Sequence, residues 1–366
     1  MSKIRLGVFF GGSSTEHEVS VLSTESVLKN LDASKYEVLP IAVTKQGEFI
    51  VGEDNIINVM PDAGNKIKNA RSRNGSDLML CENIPAIIGS DLKKYIDVAF
   101  PLIHGYLGED GALQGMLRAF QVPFVGCDIL GSALNIDKSV EHMSLKSAGL
   151  PVVRSFTLHS KDDMSYADCA SELGSILFVK SADVGSSVGV SKVRNEEEYI
   201  AALDDSFQYS DTVVVEAFFQ GHEVECAVLG NRENVQASLC GEIVLHSDFY
   251  SYDAKYVDAD AAEVVVPTAL PDSITEKLRG AAILAFKATK CEGMARVDFL
   301  VKDNGDFVIN ELNTIPGFTT ISMYPKAWEA TGVSYSALLD KVIELGVARY
   351  NRDSKIERSY KDAVKK

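Results

Sequence analysis

Residues 293–323 read GMARVDFLVKDNGDFVINELNTIPGFTTISM and contain two strand-like segments on either side of a tight turn. The segments 294–301 and 307–314 are rich in β-branched and apolar residues, which favour strands. Between them, Asn304-Gly305 is the dipeptide that most strongly indicates a two-residue hairpin loop. This stretch therefore predicts an antiparallel hairpin.

The predicted pairing brings polar side chains to one face of this hairpin. With that loop, Asp298 faces Glu311 and Arg296 faces Asn313, and all four share a face because side chains alternate along a strand. Two carboxylates and an amide oxygen, without an excess of cations to neutralise them, indicate a site for Mg²⁺. Because Mg²⁺ usually binds phosphate oxygens as well, the pattern predicts a phosphate-containing substrate. A solvated face without function is the alternative, but Asn313 leads into a turn at 314–317 that would expose backbone N–H groups beside the acids.

Composition and charge limit the classes of protein to consider. The chain has 366 residues, enough for two or three domains, with 46% hydrophobic and 24% charged residues. Its formal charge of −16 disfavours nucleic-acid binding. The six cysteines form no CxxC pair, so neither a zinc site nor a disulfide framework is indicated. With no signal-peptide pattern and no long apolar run, we expect a cytoplasmic protein that does not bind membranes.

The beginning of the chain is typical of a doubly wound α/β domain. Residues 4–10 form an apolar run like that of a buried parallel strand, and the GGSS turn at 11–14 predicts a helix from Ser14 or Thr15 onward. The turn lacks the GxGxxG spacing of dinucleotide-binding proteins and the lysine of a phosphate loop. Glu16 in the first helical turn either complements the helix dipole or binds a ligand.

Two more strands follow at 36–43 and 96–101, and the Asn-, Gly- and Lys-rich residues 55–90 between them indicate a surface insertion. A glycine-rich loop comes after the third strand. Because ligands of open α/β sheets bind beyond the carboxyl ends of strands, His104 in this loop is placed to meet one, although an isolated histidine is more often structural. The pattern changes near Leu134, where we place the first domain boundary.

Three later segments are candidates for ligand binding. Residues 181–190 are rich in Gly and Ser and follow Lys180, which predicts either a lid over phosphates or an ordinary surface loop. The strand at 212–219 is followed by a glycine, where unpaired backbone groups would suit an adenine ring. Residues 247–260 combine tyrosines and aspartates with one lysine, as in polar loops that cover substrates.

Taken in order, these motifs resemble those of the D-alanine–D-alanine ligases of the ATP-grasp superfamily. The resemblance covers nearly the whole chain and rests on FFGGSSTEHEVS (9–20), HGYLGEDGALQG (104–115), Asp137-Lys138, Lys180 with GSSVGV (185–190), Asp253-Ala254-Lys255-Tyr256, and ARVDF (295–299) with NELNTIPGFT (310–319). It implies an α/β fold in which a doubly wound parallel-sheet domain precedes an ATP-grasp unit, with α+β character in the C-terminal part. The implied domains are an N-terminal domain at 1–134, a central ATP-grasp subdomain at 135–219 with the Gly/Ser lid loop, and a C-terminal subdomain at 220–366 with the metal site and a substrate loop.

The resemblance also implies a reaction. The carboxylate of one D-alanine attacks the γ-phosphate of ATP to form an acyl phosphate, and the amine of a second D-alanine displaces phosphate to give D-alanyl-D-alanine, a peptidoglycan precursor. Two Mg²⁺ or Mn²⁺ ions assist the phosphoryl transfer. K⁺ is a further candidate cofactor, and we expect a homodimer that acts on small molecules.

Residue roles follow from the family in the same way. The implied metal ligands are Asp298, Glu311 and Asn313. The implied ATP-binding residues are Lys138, Lys180, Ser186, Ser187, Glu216, Ala217, Phe218, Phe219, Glu223, Lys255, Asn310 and Glu311. The implied D-alanine-binding residues are Glu16, His104, Arg296, Gly317, Ser322 and Met323. The implied catalytic residues are Glu16, His104, Ser186, Lys255, Tyr256, Arg296 and Gly317, of which Arg296 and the Gly317 N–H stabilise the oxyanion.

The identity of the second substrate depends on few residues. In the family, tyrosine at the position of Tyr256 goes with D-alanine and phenylalanine with D-lactate, so the resemblance favours a dipeptide. The alternative is a sister ligase that makes D-alanyl-D-serine or D-alanyl-D-lactate. Tyr256 argues against D-lactate, whereas D-serine is harder to exclude because a pocket rejects an added hydroxyl only weakly.

The strand end at 216–219, which would bind adenine, is called the hinge. In the family, lysine often follows the hinge glutamate, here Glu216. This chain has Ala217 instead, which removes one side-chain contact to adenine. An ATP-binding protein that has lost catalysis would have lost Asp298, Glu311, Arg296 or Glu16, and all four are present.

Overall fold

The computed structural model describes residues 2–74, 91–185, 189–232, 234–245 and 262–358. Its strands form three sheets, and each of the three predicted segments contains the strands of one sheet. The exact domain limits stay a prediction. Within the described ranges, no helix has the length and apolar character that crossing a membrane requires.

The N-terminal sheet is mainly parallel, as predicted. It contains β1 (Ile4–Gly11), β2 (Tyr36–Val43), β3 (Phe49–Val51) and β4 (Val98–Pro101) in the order β3-β2-β1-β4. β1 runs parallel to β2 and β4, and these apolar strands are almost entirely buried. The accompanying helices are α1 (His17–Asn30), α2 (Glu53–Val59), α3 (Pro61–Asn74), α4 (Ala112–Ala119) and α5 (Ile129–Ile136). α1 begins two to three residues later than the sequence predicted, because residues 13–16 form a bend and a turn.

The surface insertion predicted between the second and third strands is partly wrong. Its first half, up to residue 74, forms most of α2 and all of α3, and Ala63, Ile67 and Ala70 of α3 are buried in the N-terminal core. These three residues are spaced by four and three positions, as on the buried face of an amphipathic helix. The sequence prediction missed this face because most of the segment is polar. Residues 75–90 of the predicted insertion lie outside the described residues.

The central sheet is antiparallel and small. It contains β5 (Ser155–Leu158), β6 (Leu177–Ser181), β7 (Val190–Val193) and β8 (Val213–Ala217) in the order β5-β8-β6-β7. Its helices are α6 (Lys138–Ser147), α7 (Tyr166–Leu173) and α8 (Glu196–Ser206). Asp137 caps α6 by accepting hydrogen bonds from the N–H groups of Ser139 and Val140, so Lys138 occupies the first position of this helix.

The C-terminal sheet is also antiparallel and contains the hairpin predicted from residues 294–314. It contains β9 (His222–Asn231), β10 (Asn234–Leu245), β11 (Ala262–Val265), β12 (Gly293–Val301) and β13 (Phe307–Asn313) in the order β11-β10-β9-β12-β13. Its helices are α9 (Asp272–Ala288), α10 (Met323–Ala330) and α11 (Tyr335–Asp353). β12 lies between β9 and β13, so its side chains have neighbours on both sides.

The predicted register of the hairpin is confirmed at the functional end. Asp298 pairs with Glu311 and Arg296 pairs with Asn313. Near the turn the prediction is wrong by one residue. A two-residue loop would pair Val301 with Val308, but Val301 pairs with Phe307, the first residue of β13.

The turn itself explains this difference. The N–H of Gly305 donates to the carbonyl of Lys302, and Gly305 has a φ of +85°, so the loop has three residues and ends in a left-handed glycine. Further along β13, Asn310 is an extra residue that has no partner in the β12 ladder. The bulge restores the register that a two-residue loop would have produced.

The loop after β13 is built into the core of the molecule. Phe318 is fully buried in a cluster that contains residues of the N-terminal sheet and of α10 and α11. Its ring contacts Phe100 edge-on, with centroids 5.8 Å apart, and lies 5.5 Å from the ring of Tyr324. The loop therefore lies at the junction between the N-terminal and C-terminal parts.

Candidate active site

Two adjoining cavities collect most of the residues that the sequence predicts to be functional. The larger one, about 520 Å³, lies between the central and C-terminal sheets. The smaller one, about 150 Å³, is bounded by α1, the loop after β4 and the loop after β13. Lys138, Gly185, Glu225 and Glu311 line both cavities, so the two meet at these side chains.

The larger cavity has the residues expected for a nucleotide site. The predicted ATP-binding residues that line it are Lys138, Lys180, Glu216, Ala217, Phe218, Phe219, Glu223, Asn310 and Glu311. The predicted Ser186, Ser187 and Lys255 lie outside the described residues. The strand before the hinge ends at Ala217, earlier than predicted, and the N–H of Phe218 donates to the carbonyl of Ile176. The N–H of Ala217 donates to the carbonyl of Arg154, so the backbone donors of both Ala217 and Phe218 are occupied within the protein.

Lysine side chains supply positive charge along this cavity. Lys180 Nζ lies 2.7 Å from Glu216 Oε2 and donates to Asn310 Oδ1 at 3.3 Å. Burial opposes the charge of Lys180, but the Glu216 carboxylate outweighs it and raises the lysine pKa. Lys192 lies over the ring of Phe218 at 4.2 Å, a cation–π geometry. The cavity thus combines fixed cations with an aromatic wall, which suits a phosphate-bearing aromatic ligand.

Three carboxylates lie side by side where the two cavities meet. Across neighbouring strands, Glu225 pairs with Asp298 and Asp298 pairs with Glu311. Arg296 neutralises part of this negative charge. Its Nε lies 2.7 Å from Asp298 Oδ1 and its Nη2 lies 2.6 Å from Asp298 Oδ2. Arg296 Nε also lies 2.9 Å from Glu225 Oε2. Arg296 thus pairs with two of the three acids, and among the described residues the acids still outnumber the cations that contact them.

The charge of Arg296 is fixed by these neighbours. Burial opposes the charge, but Asp298 and Glu225 outweigh it and raise the guanidinium pKa. Lys138 adds a second cation, with Nζ 3.6 Å from Glu311 Oε2, and it also donates to the carbonyl of Val184. The centre of the site is thus a row of acids held by two cations.

The predicted metal ligands are adjacent. Asp298 and Glu311 face each other, and Asn313 Nδ2 donates to Asp298 Oδ2 at 3.0 Å. Among the residues that the structure describes, no three His, Cys, Asp or Glu side chains form a group that could hold a metal ion. The set of two carboxylates and one amide still fits Mg²⁺ in its chemistry, since the Asp298 and Glu311 carboxylates lie directly opposite each other, repel one another and are stabilised by a cation between them.

The smaller cavity brings together every predicted D-alanine-binding residue. Glu16, His104, Arg296, Gly317, Ser322 and Met323 all line it. Gly185 lies close to Glu16, because a Cβ on Gly185 would lie 3.1 Å from Glu16 Oε2. A Cβ on Gly317 would lie 2.7 Å from Ser322 Oγ, so a larger residue here would displace the serine hydroxyl. The cavity offers carboxylates that can bind an ammonium group, and the Arg296 guanidinium and the Ser322 hydroxyl that can bind a carboxylate, as a small amino acid requires.

Sequence reasoning missed three acids of the site. Glu225 follows Glu223 by two residues on β9, so alternation could have placed it on the same face. Glu141 is fully buried in α6 and accepts from the N–H of Leu312 at 2.6 Å. Burial raises the pKa of Glu141, and the charge of Glu311 raises it further. Glu109 lines the smaller cavity, and no sequence signal beyond its position in the glycine-rich loop pointed to it.

Glu109 joins two loops of the site. Its Oε2 accepts from the N–H of Gly105 at 2.8 Å and its Oε1 from the N–H of Ile315 at 2.9 Å. Burial raises the pKa of Glu109 to about 8, and the charge of Glu16 contributes. Neutral pH lies below this value, so Glu109 is protonated in most of the molecules there.

This shift predicts a specific pH dependence of stability. Between the ordinary pKa of 4.5 and the folded value of about 8, the folded protein binds more protons at Glu109 than the unfolded chain does. The free energy of unfolding should therefore fall as the pH rises through this range. Urea denaturation at about pH 5 and about pH 8 should show a smaller fall for Glu109→Gln than for the unchanged protein. An equal fall in both proteins would show that Glu109 titrates normally.

Comparisons with known proteins agree with this geometry. Residues 5–127 match the family model described as D-ala D-ala ligase N-terminus, and residues 144–344 match D-ala D-ala ligase C-terminus. The chain is 45% identical to D-alanine–D-alanine ligase A of Escherichia coli (strain K12) over 365 residues, which cover 98% of this chain and 99% of that protein.

Solved structures show the same fold. The VanG D-Ala:D-Ser ligase from Enterococcus faecalis is 32% identical, with a TM-score of 0.80 over 94% of this chain and 100% of that one. A D-alanine–D-alanine ligase from Bacillus anthracis, solved in complex with ATP, is 28% identical, with a TM-score of 0.72 over 96% and 99% of the two chains. These matches confirm the predicted ATP-grasp architecture preceded by an α/β domain. The chain belongs to the D-alanine–D-alanine ligase family.

Proposed function

We propose that the protein is an ATP-dependent ligase that joins two D-alanines into D-alanyl-D-alanine for peptidoglycan precursor synthesis. The observation that carries this proposal is the junction of the two cavities. Lys138 and Glu311 line both, so the phosphate end of a nucleotide and the carboxylate of a small amino acid would meet there. Catalysis of this kind depends mainly on positioning and charge neutralisation.

The larger cavity would hold ATP. Lys138 and Lys180 would bind the phosphates, and the hinge at Ala217–Phe219 would bind adenine, with Glu223 on the ribose hydroxyls. Asp298, Glu311 and Asn313 would hold magnesium or manganese, whose charge would neutralise the phosphates during transfer. A pair of such ions and a role for K⁺ belong to this proposal.

The smaller cavity would hold the first D-alanine. The Glu16 carboxylate would bind its ammonium group, and Arg296 would orient its carboxylate towards the phosphates. A carboxylate oxygen then attacks the γ-phosphorus, the bond from phosphorus to the bridging oxygen of ADP breaks, and an acyl phosphate forms. Arg296 carries a charge that its acidic neighbours hold in place, so it is pre-set for this role.

The second D-alanine would enter between Ser322 and the lid. Its amine, after losing a proton, attacks the acyl carbon, and the oxyanion that develops is stabilised by Arg296 and the Gly317 N–H. Phosphate leaves as the amide forms. Ser322 and Met323 would bind the carboxylate side of this substrate. Ser186, Lys255 and Tyr256 would close over the site, as the family resemblance implies.

Isotope transfer tests this reaction path. If D-alanine labelled with ¹⁸O in its carboxylate is used, one ¹⁸O should appear in the released phosphate, because the bridging oxygen of the acyl phosphate leaves with phosphorus. Mass spectrometry of the phosphate and of the dipeptide measures both products. Dipeptide formation without ¹⁸O in phosphate would contradict an acyl phosphate.

A sister activity with D-serine is the second candidate, favoured by the likeness to the VanG D-Ala:D-Ser ligase. Tyr256 bears on the D-lactate alternative. Because tyrosine at this position goes with D-alanine in the family, Tyr256→Phe should raise the yield of D-alanyl-D-lactate relative to the dipeptide. Competition between D-alanine and D-lactate, with products separated by mass, measures this ratio. An unchanged ratio would count against a selective role for Tyr256.

We infer that the protein is a cytoplasmic homodimer that binds neither nucleic acid nor membranes. The formal charge of −16 supports the exclusion of nucleic acid, since phosphate backbones require a basic surface. Light scattering on the purified protein would measure the oligomeric state directly.

A further inference from the structure

The loop that carries Gly317 is tied to the N-terminal domain at three backbone atoms. We name residues 314–318 the glycine loop. Ile315 donates its N–H to Glu109 and accepts, through its carbonyl, a hydrogen bond from His104 Nδ1 at 2.9 Å. Phe318 donates its N–H to Ser23 Oγ at 3.2 Å. These three bonds hold the loop on both sides of Gly317.

The directions of these bonds are fixed by elementary chemistry. A carbonyl oxygen only accepts, so His104 Nδ1 must carry the proton. In a neutral ring, the other nitrogen, Nε2, then has a lone pair, and Ser23 Oγ lies 3.2 Å from it. Because Ser23 Oγ already accepts from Phe318, its own hydrogen can point to His104. The result is a continuous chain of hydrogen bonds from Phe318 through Ser23 and His104 to Ile315.

Both ring nitrogens of His104 are therefore occupied. The side chains of His104 and Ser23 are buried, and burial lowers the pKa of His104, which agrees with a neutral ring. A neutral imidazole with one nitrogen on a carbonyl and the other on a hydroxyl has no site left to take a proton from a substrate. This geometry argues for a positioning role and against proton transfer by His104.

We propose that Ser23 and His104 act together as positioning residues that set the Gly317 amide in place. The proposal rests on the proposed role of Gly317 as an oxyanion donor. An N–H stabilises a transition state only if it is aimed before the reaction at the place where charge develops. Loosening either end of the glycine loop should therefore slow the chemical step and leave the nucleotide cavity unaffected.

Ser20 provides a matched control on the same helix. Like Ser23, it is fully buried in α1 and makes two hydrogen bonds through its hydroxyl. It accepts from the N–H of Gly11 at 2.8 Å and donates to the carbonyl of Leu102 at 2.6 Å. Neither partner belongs to the glycine loop. Ser20→Ala therefore removes comparable bonds from the N-terminal domain while the Ser23 chain stays intact.

The first test compares Ser23→Ala with Ser20→Ala. Both should lower the thermal unfolding midpoint to a similar extent. Only Ser23→Ala should lower kcat, by about tenfold, with the KM for ATP within about twofold of the original value. An unchanged kcat in Ser23→Ala, or an equal loss of kcat in both variants, would overturn the proposal.

A second pair of variants keeps the test valid if Ser23→Ala does not fold. In His104→Asn, the side-chain amide can take the place of Nδ1–H and keep the bond to Ile315. In His104→Gln, the amide reaches the position of Nε2, and the bond to Ile315 is lost. We expect His104→Asn to keep several-fold more activity than His104→Gln. Equal and nearly complete losses in both would point to proton transfer by His104 and overturn the proposal.

These outcomes are separable from a failure of the proposed function. If the unchanged protein releases no phosphate with D-alanine, the ligase assignment fails and the variants are not informative about catalysis. If the unchanged protein is active, the pattern among the four variants decides the positioning role alone.

Discussion

Replacing Glu311 by glutamine is expected to lower kcat by roughly three orders of magnitude while the protein stays folded. Glu311 lines both cavities, faces Asp298 across the hairpin and lies 3.6 Å from the ammonium of Lys138. Glutamine has the same shape but no charge, so it removes the carboxylate on which the metal assignment depends. The charge of Glu311 raises the pKa of the buried Glu141, which means that the two acids repel each other. Removing that charge relieves the repulsion, so the protein should stay folded.

The Glu311 prediction needs activity and folding measured on the same sample. ADP release at saturating ATP and D-alanine gives kcat, and thermal unfolding shows whether the fold is intact. Asp303→Asn is a matched control on the same hairpin, since Asp303 is almost fully exposed at the turn. It should leave kcat close to the original value. Near-normal turnover in Glu311→Gln would refute the role of Glu311 in holding magnesium.

Replacing Arg296 by methionine should affect both stability and catalysis. The Arg296 side chain is 19% exposed and is paired with Asp298 and Glu225. Removing it leaves two partly buried carboxylates without their cation, which costs about 3–5 kcal/mol in the free energy of unfolding. The loss of an oxyanion donor adds a fall in kcat of about 10²- to 10³-fold. Urea denaturation and steady-state kinetics measure the two effects separately.

Arg296→Lys separates charge from geometry. Lysine keeps the positive charge but cannot bind Asp298 through two parallel N–H groups. It should recover much of the stability and little of the rate. Arg352→Met is the control, since Arg352 binds Glu292 in the same two-fold manner, at 2.7 and 2.8 Å, away from both cavities. A full rate in Arg296→Lys would show that only the charge matters.

The hairpin shows what a sequence can predict of this site. Alternation along two strands was enough to place Asp298 and Glu311 on one face, because the pleat leaves only two faces to choose from. Their direct pairing was predicted from a two-residue loop, and it holds because the bulge at Asn310 offsets the extra residue of the loop. The turn was predicted less well, since Asn304-Gly305 is compatible with more than one loop length. Beside the compensating bulge, the N–H of Ile309 donates to the carbonyl of Pro151, a contact with a distant segment that no local pattern in β13 predicts.

Other parts of the site depend on contacts between distant segments. Glu225 became part of the acidic row only because β9 pairs with β12, and strand order cannot be read from the two segments alone. The chain through Ser23, His104 and Phe318 joins residues that are up to 295 positions apart. Family resemblance placed His104 near the substrate, and the structure supplied the bonds that assign it a positioning role.

The most direct test of the account is phosphate release from ATP and Mg²⁺ by the purified protein, with D-alanine, L-alanine, D-serine and D-lactate added one at a time. The account predicts release that depends on D-alanine, with no response to L-alanine, and a product with the mass of D-alanyl-D-alanine. Phosphate release that needs none of these acids, or ATP binding without release by any of them, would contradict the assignment of Glu16, Arg296 and Ser322 to the D-alanine site.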